Sequence, residues 1–508
     1  MAAAAPVQQV RVKVVGLDRS GQVVTRQEAV LEAASGQSYE LDGGSVRLPA
    51  GTYLIGAQVM TGSASDTLVV RQVRITRSET ITMSAEHGRA VRVSLTGVTG
   101  TPDYVGITAC LGTETAAETP VSASADRGQR LYAVPFRSRD VGFAYLATWN
   151  QAQVGPAQGP EYDISGSSGD GVPSRAAYQQ RAGDLARLTM SVRSGVNPAS
   201  SVMWQVGPDN YFQSLCTAGR TNGQQAAPFS TVHYVTPGVW TTEVDTEYLT
   251  HSGVTDFTGF SYLVRRLAAR HSYVQTFGAA VAGPGAIQPS IEGNLFRFDA
   301  TDLFDLPGLR GGDQCCARSV ATLSRDGHRQ WTARLNEWRG RSYLQKTLTT
   351  AGWYNFDVSA ARWNPHGTEP ADLLSTRATL DWHFYIRPVP PAGNEADFPV
   401  TVTTYEPRGL SVANQAGPGA ATTVEFQVVR NGADGTAAPH YALKEVRVLA
   451  SFNGGQTWHR LTVTRSGRNW LAVVHDPASG YVTLRSIVTD VKGDSTTETI
   501  SRAYAIAG

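Results

Sequence analysis

The stretch Ser45–Met60, SVRLPAGTYLIGAQVM, places short runs of alternating polar and apolar residues on both sides of a turn at Pro49–Gly51. A period of two predicts β-strands, because successive side chains of a strand point to opposite faces. Leu48, Tyr53 and Ile55 can therefore point into one core. The runs VRVKVVGL and VRQVRITRSETITM, separated from it by DRSGQ and DGGS turns, repeat the pattern. We predict a β-sandwich over residues 1–86.

The rest of the chain continues the same pattern in three further segments. RAVRVSLTGV, YVGITACL, RLYAVPF and VGFAYLATW predict a second β domain over residues 87–237, with a flexible loop near 155–174 that is rich in Gly, Ser and Pro. RAAYQQRAGDLARL, residues 175–188, is the best helix candidate despite Gly183. A third β-sandwich is expected over 238–390, and the proline-rich RPVPPAGNEADFP marks a linker into a final domain. Residues 391–508 carry about seven short strands, as an immunoglobulin-like sandwich does. The fold class predicted is all-β, with tandem antiparallel β-sandwich domains.

Composition and charge narrow the functional classes. The 508 residues contain 44 basic and 43 acidic side chains, a formal charge of +1, so a nucleic-acid partner is not expected. The longest apolar runs are too short for a membrane span. The opening MAAAAPVQQ lacks the basic start and apolar stretch of a signal peptide, which suggests a mature segment carrying an added Met1. Only four of the basic residues are lysine, a bias that suggests a GC-rich, actinobacterial source.

The four cysteines are candidates for disulfide bonds: Cys110, Cys216, Cys315 and Cys316. Four cysteines allow three pairings, and bridging between adjacent cysteines is strained, so distant pairing is favoured. Free buried thiols are the alternative. The Cys-Cys spacing does not match a zinc or redox motif.

The stretch Ser451–Trp458, SFNGGQTW, is similar to a sialidase hairpin motif in which small polar groups bond the turn backbone and a Trp packs beneath. Ser451, Gly455, Thr457 and Trp458 occupy the matching offsets, and Asn453 replaces the usual Asp, keeping the acceptor without the charge. A propeller would repeat this motif in several blades, so we assign it a structural role. Trp458 and Trp470, the latter on the strand expected to pair with it, are predicted to be core aromatics rather than a sugar platform.

Other polar and aromatic groups are weak binding candidates. The alternatives, which we favour, are a solvated strand edge for the arginines, a capped short helix for the aspartates, and burial in the core for the aromatic rings. An anionic glycan or an acidic partner could contact the arginines, aromatic side chains could contact a ligand, and a spaced aspartate set could hold calcium. We do not expect another cofactor. The candidates are Arg265, Arg266 and Arg270 for the basic group, Tyr211, Phe212, Trp353 and Tyr354 for the aromatics, and Asp299, Asp302 and Asp305 for calcium.

Several of these segments resemble the post-catalytic region of large secreted actinobacterial subtilisin-like serine peptidases. The resemblance spans most of the chain, is strongest after about residue 300 and is poor between about 150 and 240. In residues 451–506 the Gly-Gly-x-Thr-Trp type turn is followed by a second Trp, VTLRSIVTD and a terminal RAY. ATLSRDG, WYNFDVSAAR, STRATLDWHFYI and VKVVGLDRSG are also similar to that region, and LPAGTY resembles the prealbumin-like sandwiches of secreted enzymes. The family's catalytic motifs do not carry over, because His366-Gly367-Thr368 runs into Glu369-Pro370 and Gly-Thr-Ser does not occur. No catalytic residue is assigned.

The resemblance implies a secreted, non-catalytic array of β-sandwiches, the accessory region or companion of a subtilisin-like peptidase. Its partners would be the catalytic domain or another extracellular protein, and such an array would position substrate, anchor the enzyme or bind a protein. An independent adhesin or lectin that binds a polysaccharide or a cell surface is the alternative. A hydrolase in its own right is a third, less favoured class, because glycoside hydrolysis needs two carboxylates held close together.

Overall fold

The computed structural model describes residues 9–24, 28–33, 37–42, 45–112, 119–150, 159–195, 201–209, 216–249, 255–285, 289–300, 303–306, 309, 318–336, 341–363, 369–387, 400–430 and 442–508. In these ranges every regular element is a β-strand except one turn of 3-10 helix, Ala182–Asp184. The all-β class is therefore confirmed. His366-Gly367-Thr368 and all of the expected linker at residues 387–399 except Arg387 lie outside the described residues.

The first strands include both arms of the SVRLPAGTY hairpin. They are β1 (Gln9–Leu17), β2 (Glu28–Ala33), β3 (Ser38–Asp42), β4 (Ser45–Pro49), β5 (Gly51–Thr61), β6 (Ser65–Ile75), β7 (Glu79–Ser84), β8 (Arg89–Ala90), β9 (Arg92–Thr96), β10 (Tyr104–Leu111), β11 (Thr119–Asp126) and β12 (Arg130–Ala133).

The middle strands are β13 (Phe136–Arg137), β14 (Val141–Trp149), β15 (Glu161–Ser168), β16 (Gly171–Val172), β17 (Ala177–Arg181), β18 (Ala186–Val192), β19 (Ser201–Pro208), β20 (Thr221–Gln225), β21 (Phe229–Val235), β22 (Gly238–Leu249), β23 (Thr255–Leu267) and β24 (Ser272–Phe277).

The last strands are β25 (Ser290–Glu292), β26 (Leu295–Asp299), β27 (Arg318–Arg325), β28 (His328–Asn336), β29 (Tyr343–Thr347), β30 (Gly352–Ala361), β31 (Arg377–Ile386), β32 (Thr401–Pro407), β33 (Gln415–Ala416), β34 (Ala421–Arg430), β35 (Leu443–Ser451), β36 (His459–Arg460), β37 (Val463–Ser466), β38 (Asn469–His475), β39 (Gly480–Asp490) and β40 (Ser495–Ile506).

Four sheets stack face to face in the first half of the chain, with a hydrophobic core between each neighbouring pair. In order they are β4-β1-β7, then β3-β2-β5-β6-β12-β8, then β11-β10-β14-β15-β21-β18-β24, and finally β20-β19-β22-β23. The two middle sheets bury both faces: Leu54 and Ile55 of β5, for example, enter different cores. Strands β8 and β12 complete the first domain's larger sheet, so the sheets are not divided at residues 86/87.

The second half forms a larger sandwich around one core. A nine-stranded sheet, β28-β27-β30-β31-β40-β39-β35-β36 with β33 on β40, contributes one layer. The sheets β25-β26-β29 and β32-β34-β38-β37 contribute to the same core from the other side. Strand β31 pairs with β40 from Arg377↔Ser501 to His383↔Ser495, so this sheet continues across the boundary expected at residues 390/391.

The two halves are joined through a buried asparagine. The Asn414 side chain donates to the carbonyl oxygens of Ser194 (2.8 Å) and Gly278 (2.7 Å) and accepts from the Ala280 N–H (2.9 Å). It is fully buried and has a φ of 55°, a left-handed conformation that Asn tolerates better than most residues. These bonds link a C-terminal turn to the ends of β18 and β24.

Two predictions for residues 155–188 were wrong. The stretch expected to be a flexible loop contains β15, a central strand of the seven-stranded sheet, and β16. The predicted helix is β17, the 3-10 turn and the start of β18, because β17 pairs with β9 and β18 lies between β21 and β24. Tertiary strand pairing overrides the local helix propensity here. Antiparallel pairs predominate, but six of the described pairs are parallel: β1 with β7, β6 with β12, β9 with β17, β15 with β21, β18 with β24 and β33 with β40.

Candidate functional site

A buried acid–base relay lies between the seven-stranded sheet and β20-β19-β22-β23. The His233 Nδ1 atom is 3.1 Å from Asp163 Oδ2, and its Nε2 atom is 3.1 Å from Thr231 Oγ1. Thr221 donates to Asp163 Oδ1 (2.6 Å), and Trp204 contacts the imidazole edge-on with ring centroids 5.0 Å apart. Carboxylate, imidazole and hydroxyl are in the order that activates a nucleophile.

The relay is closed to substrate. His233 and Asp163 are 0% exposed and Thr231 is 4% exposed. Glu161, 3.7 Å from His233 and 2% exposed, is also enclosed, and its burial raises the pKa of its carboxyl far above the usual value, with the Asp163 charge acting in the same direction. The arrangement fastens two sheets through hydrogen bonds. The relay was not predicted from the sequence because EYDIS lies in the stretch expected to be a loop, although the alternation of Glu161 and Asp163 with apolar residues is a strand signal.

A second buried carboxyl lies in the C-terminal sandwich. Glu498 of β40 is 0% exposed, and its Oε2 accepts the Thr403 N–H at 2.8 Å. Burial raises its pKa to about 8, although the hydrogen bond from Thr403 acts in the opposite direction. The Thr403 hydroxyl in turn bonds Ser486 Oγ at 2.8 Å. This cluster joins β32 to β39 and β40 across the core.

The predicted arginine group is split between a strand and a turn. Arg265 and Arg266 are exposed near the end of β23, and the Arg265 guanidinium lies 4.7 Å above the Tyr273 ring. Arg270 follows in a turn at φ 63° and pairs with Asp184 at 2.5 Å. Both partners of that pair are exposed, so it contributes little to stability. Arg265 and Arg270 thus have local partners, the Tyr273 ring and the Asp184 carboxylate.

The two aromatic candidates of β30 have different environments. Tyr354 is buried, and its hydroxyl donates to the Thr350 carbonyl at 2.6 Å. Trp353 is half-buried on the outer face of the nine-stranded sheet, where it stacks on His383 with centroids 4.6 Å apart and meets Tyr385 edge-on at 5.5 Å. One face of Trp353 is thus covered by the imidazole, while Tyr385 is 43% exposed. Tyr211 and Phe212 lie outside the described residues.

The calcium candidates do not form a described cluster. Asp299 is on β26 opposite Tyr343, whereas the backbone of Asp305 forms a bridge to Gly283 and Asp302 lies outside the described residues. Leu303 and Phe304 between them are buried in turns and not in the expected short helix. Among the residues that the structure describes, no three His, Cys, Asp or Glu side chains are grouped to hold a metal ion.

One of the possible cysteine pairings is formed. Cys110 of β10 is bonded to Cys216, with 5.6 Å between their Cα atoms, and the bond connects the seven-stranded sheet to the segment preceding β20. Cys315 and Cys316 lie outside the described residues. The disulfide therefore contributes to the stack of sheets.

The SFNGGQTW turn is held by its own polar groups. Ser451 Oγ accepts the Gly455 N–H at 2.9 Å, and Asn453 bonds both the backbone N–H and the hydroxyl of Thr457 at 2.9 Å. Gly455 has a φ of 91° and lies so close to Trp458 that a β-carbon there would be 3.2 Å from the indole. The structure thus gives this motif the bonds of a turn.

The two tryptophans associated with that motif are less buried than expected. Trp458 is half-buried, and the Arg485 guanidinium lies 3.9 Å from its ring centroid. Trp470 is also half-buried and stacks near Phe426, 6.4 Å between centroids. Trp470 is on β38, which pairs with β34 and with β37, the strand at Val463–Ser466 that comes after Trp458. The two-residue strand β36, which directly follows Trp458, pairs with β35.

A surface groove of about 760 Å³ lies between β8–β9 and the turn from β11 to β12. Its apolar lining includes Val91, Val93 and Leu131, while Arg92 and Arg130 are exposed beside it. The volume is within the roughly 300–1,000 Å³ of ligand sites. No residue of this groove was singled out from the sequence, because its walls come together only when β8 and β12 join one sheet.

The charge of the groove's lining is mainly basic. Arg127 lines it with Arg92 and Arg130 and pairs with Asp103, and Asp126 is the acidic residue of the same turn. At one end the Arg19 guanidinium lies 3.6 Å from the ring centroid of Tyr132, another lining residue. Apolar contacts inside and cations at the rim suit a chain with both apolar and acidic side chains.

In the described part of the chain, no helix has the length and apolarity needed to cross a membrane.

Comparisons with known proteins found no family match and only weak structural alignments. No protein-family model and no curated protein matches the chain. The Bacillus anthracis TIE protein aligns at 9% identity and a TM-score of 0.13 over 53% of this chain and 50% of that protein, so the chain spans about half the length of that protein. A streptococcal ancillary pilin aligns at 7% identity and a TM-score of 0.12 over 53% of this chain and 99% of the pilin. Alignments this weak carry no argument about function, and the assignment to the all-β, β-sandwich class rests on the strands and sheets described above.

Proposed function

We propose that this chain is a non-catalytic extracellular β-sandwich array that holds a partner polypeptide, as the accessory region or companion of a subtilisin-like serine peptidase. The observation that carries the proposal is the groove beside β9, with Val93 and Leu131 in its lining and Arg92 and Arg130 at its rim. Such a groove offers contacts to an extended chain of apolar and acidic residues. Positioning a substrate or anchoring a catalytic domain requires a surface of this kind.

Two further observations support the proposal. The relay of Asp163, His233 and Thr231 is sealed between sheets, so it offers no substrate a nucleophile. The Cys110–Cys216 disulfide is the kind of cross-link that persists in oxidising compartments, which supports secretion. The link to a peptidase rests on the sequence resemblance of residues 451–506, and the actinobacterial source rests on residue usage.

The test is a binding experiment with the subtilisin-like catalytic domain encoded in the same reading frame or beside this chain's gene. We expect a complex on size-exclusion chromatography that weakens with added salt and with the double variant Arg92→Ala, Arg130→Ala. Arg329→Ala, an exposed arginine of β28, is the matched control and should leave the complex intact. Absence of a complex at micromolar concentrations would contradict the peptidase link.

An adhesin or lectin is the second candidate, favoured by the outer face of the nine-stranded sheet. Tyr385, Trp353 and His383 form an aromatic cluster there, and Asn355 bridges His383 (3.0 Å) to Asp381 (3.3 Å). Aromatic faces beside amide and carboxylate groups can bind sugar rings and their hydroxyls. A glycan array of the isolated chain tests this candidate: selective binding lost in Tyr385→Ala supports it, and an array without selective signals removes it.

A further inference from the structure

The groove is a fork between two strands that begin as neighbours. Strand β8 pairs with β12 through Ala90↔Tyr132, and the Val91 N–H continues this pairing by donating to the Leu131 carbonyl at 2.9 Å. Beyond this pair the ladder ends, because the Gln129 N–H, which would face Val93 in a continued ladder, donates to the Asp126 carbonyl in the turn from β11 to β12 (2.9 Å). The Arg92 N–H points to the other edge of the chain, where it donates to the Ala176 carbonyl and β9 pairs with β17, so the groove opens between β9 and β12.

The fork leaves one edge of β9 facing the groove. In a parallel ladder, alternate residues bond to the neighbouring strand, and the Arg92 N–H bond shows that Arg92, Ser94 and Thr96 face β17. The N–H and C=O groups of Val93 and Leu95 consequently point to the opposite edge of β9, which faces the groove and continues the edge along which Val91 bonds to β12. No strand in the described part of the chain pairs with that edge. Unpaired strand edges are templates for an added strand.

The side chains of β9 determine which sequence an added strand would carry. Val93 and Leu95 are buried on the inner face, whereas Arg92 and Ser94 are exposed on the outer face. A strand beside β9 would alternate in the same way. Its inward residues would meet Val93 and Leu131, and its outward residues would lie near Arg92 and Arg130.

We propose that the groove binds an extended peptide with alternating apolar and acidic residues, which adds a strand to the free edge of β9. This inference rests on the proposed function in that it assumes that the groove holds a partner polypeptide, and it adds the binding mode and the sequence class. The acidic residues give charge complementarity to the arginines, while the backbone bonds fix the register.

The test uses fluorescence polarisation with the labelled peptide Glu-Val-Glu-Val-Glu-Val and two N-methylated forms of it. One form carries methyl groups on all valine amides and the other on all glutamate amides after the first. An added strand presents only one of these two sets to β9: the valine amides if it runs antiparallel, the glutamate amides if parallel. We expect one methylated peptide to lose binding at least about tenfold and the other to stay within about twofold. The peptide that loses binding identifies the strand direction.

Controls distinguish two negative results: a peptide that binds the groove without adding a strand, and a groove that does not bind the peptide. Equal affinity of all three peptides, or equal loss in both methylated forms, overturns strand addition, while binding of the parent peptide still supports the proposed function. The double variant Arg92→Ala, Arg130→Ala should weaken the parent peptide by about five- to tenfold, and Arg329→Ala should not. A parent peptide that does not bind, or that binds independently of the two arginines, overturns both proposals. Preferential binding of a heparin hexasaccharide, with no peptide bound, would also overturn both.

Discussion

Replacing Glu498 by glutamine should change how the stability of the C-terminal sandwich depends on pH. Burial raises the pKa of this carboxyl from its reference value of 4.5 to about 8. The folded state therefore keeps a proton that the unfolded chain releases, and the stability contributed by this group is fully present below pH 4.5 and is lost as the pH rises through about 8. At 1.36 kcal/mol for each unit, the loss between pH 4.5 and pH 7 is about 3 kcal/mol.

The Glu498→Gln side chain cannot ionise, and its carbonyl oxygen can still accept the Thr403 N–H. We therefore expect the variant to lack this part of the pH dependence. A loss of about 3 kcal/mol corresponds to a fall of roughly 6–12 °C in the melting temperature of a domain of 150–250 residues. Absolute stability at low pH should be slightly lower in the variant, because the amide adds a donor in a dry site.

Calorimetry from pH 4.5 to 8.5 measures this difference, with hydrogen exchange of the β39 and β40 amides identifying the transition of the C-terminal sandwich. That assignment is required because the buried Glu161 gives the first half of the chain a pH dependence of the same sign. Glu445→Gln, at an exposed position of β35, is the matched control and should follow the wild type. Parallel pH curves for Glu498→Gln and the wild type would show that Glu498 is not protonated in the folded state.

Three further perturbations test the disulfide, the joint between the halves and the C-terminal turn. Cys110→Ser should cost about 3–5 kcal/mol of unfolding free energy, because the bond closes a separation of 106 residues; an unchanged guanidinium midpoint would contradict this. Asn414→Gly should lower the melting temperature because it removes the side-chain hydrogen bonds to Ser194, Gly278 and Ala280, a loss of about 2–4 kcal/mol. Asn414→Ala should cost about 1 kcal/mol more because of the left-handed φ; the reverse order would exclude that backbone cost. Trp458→Ala should cost about 1–2 kcal/mol, less than the roughly 3–5 kcal/mol of a buried tryptophan, since this ring is half-buried; a larger loss in urea unfolding would place it in the core.

Local pattern was enough to predict the fold class. Short alternating runs such as SVRLPAGTY and TTVEFQVVR became strands because half of their side chains enter a core, and the turn polar groups of Ser451 and Asn453 bond within four residues. Each of these features depends on neighbours in the chain. A propeller was also excluded from the sequence, because a propeller would repeat the SFNGGQTW motif in several blades.

Sequence pattern failed where a strand is polar and where its residues favour a helix. Strand β15 contains Glu161, Asp163 and Ser165, and its carboxylates are internal because His233 and Thr221 lie opposite them. The segment Ala177–Arg181 contains good helix formers, but its pairing with β9 decides its conformation. In both cases the partners, His233 and Thr221 for β15 and strand β9 for Ala177–Arg181, are distant in the sequence.

The sequence by itself determined that this protein is built from β-strands and that its C-terminal turn closes on its own side chains, because periodicity and short-range hydrogen bonds involve only neighbouring residues. Only the tertiary structure decided which cysteine Cys110 meets, how the sheets run across the expected boundaries and where β9 keeps an open edge. Those features depend on contacts between residues tens to hundreds of positions apart, and the free energy of such contacts is set by packing between sheets that no local pattern specifies.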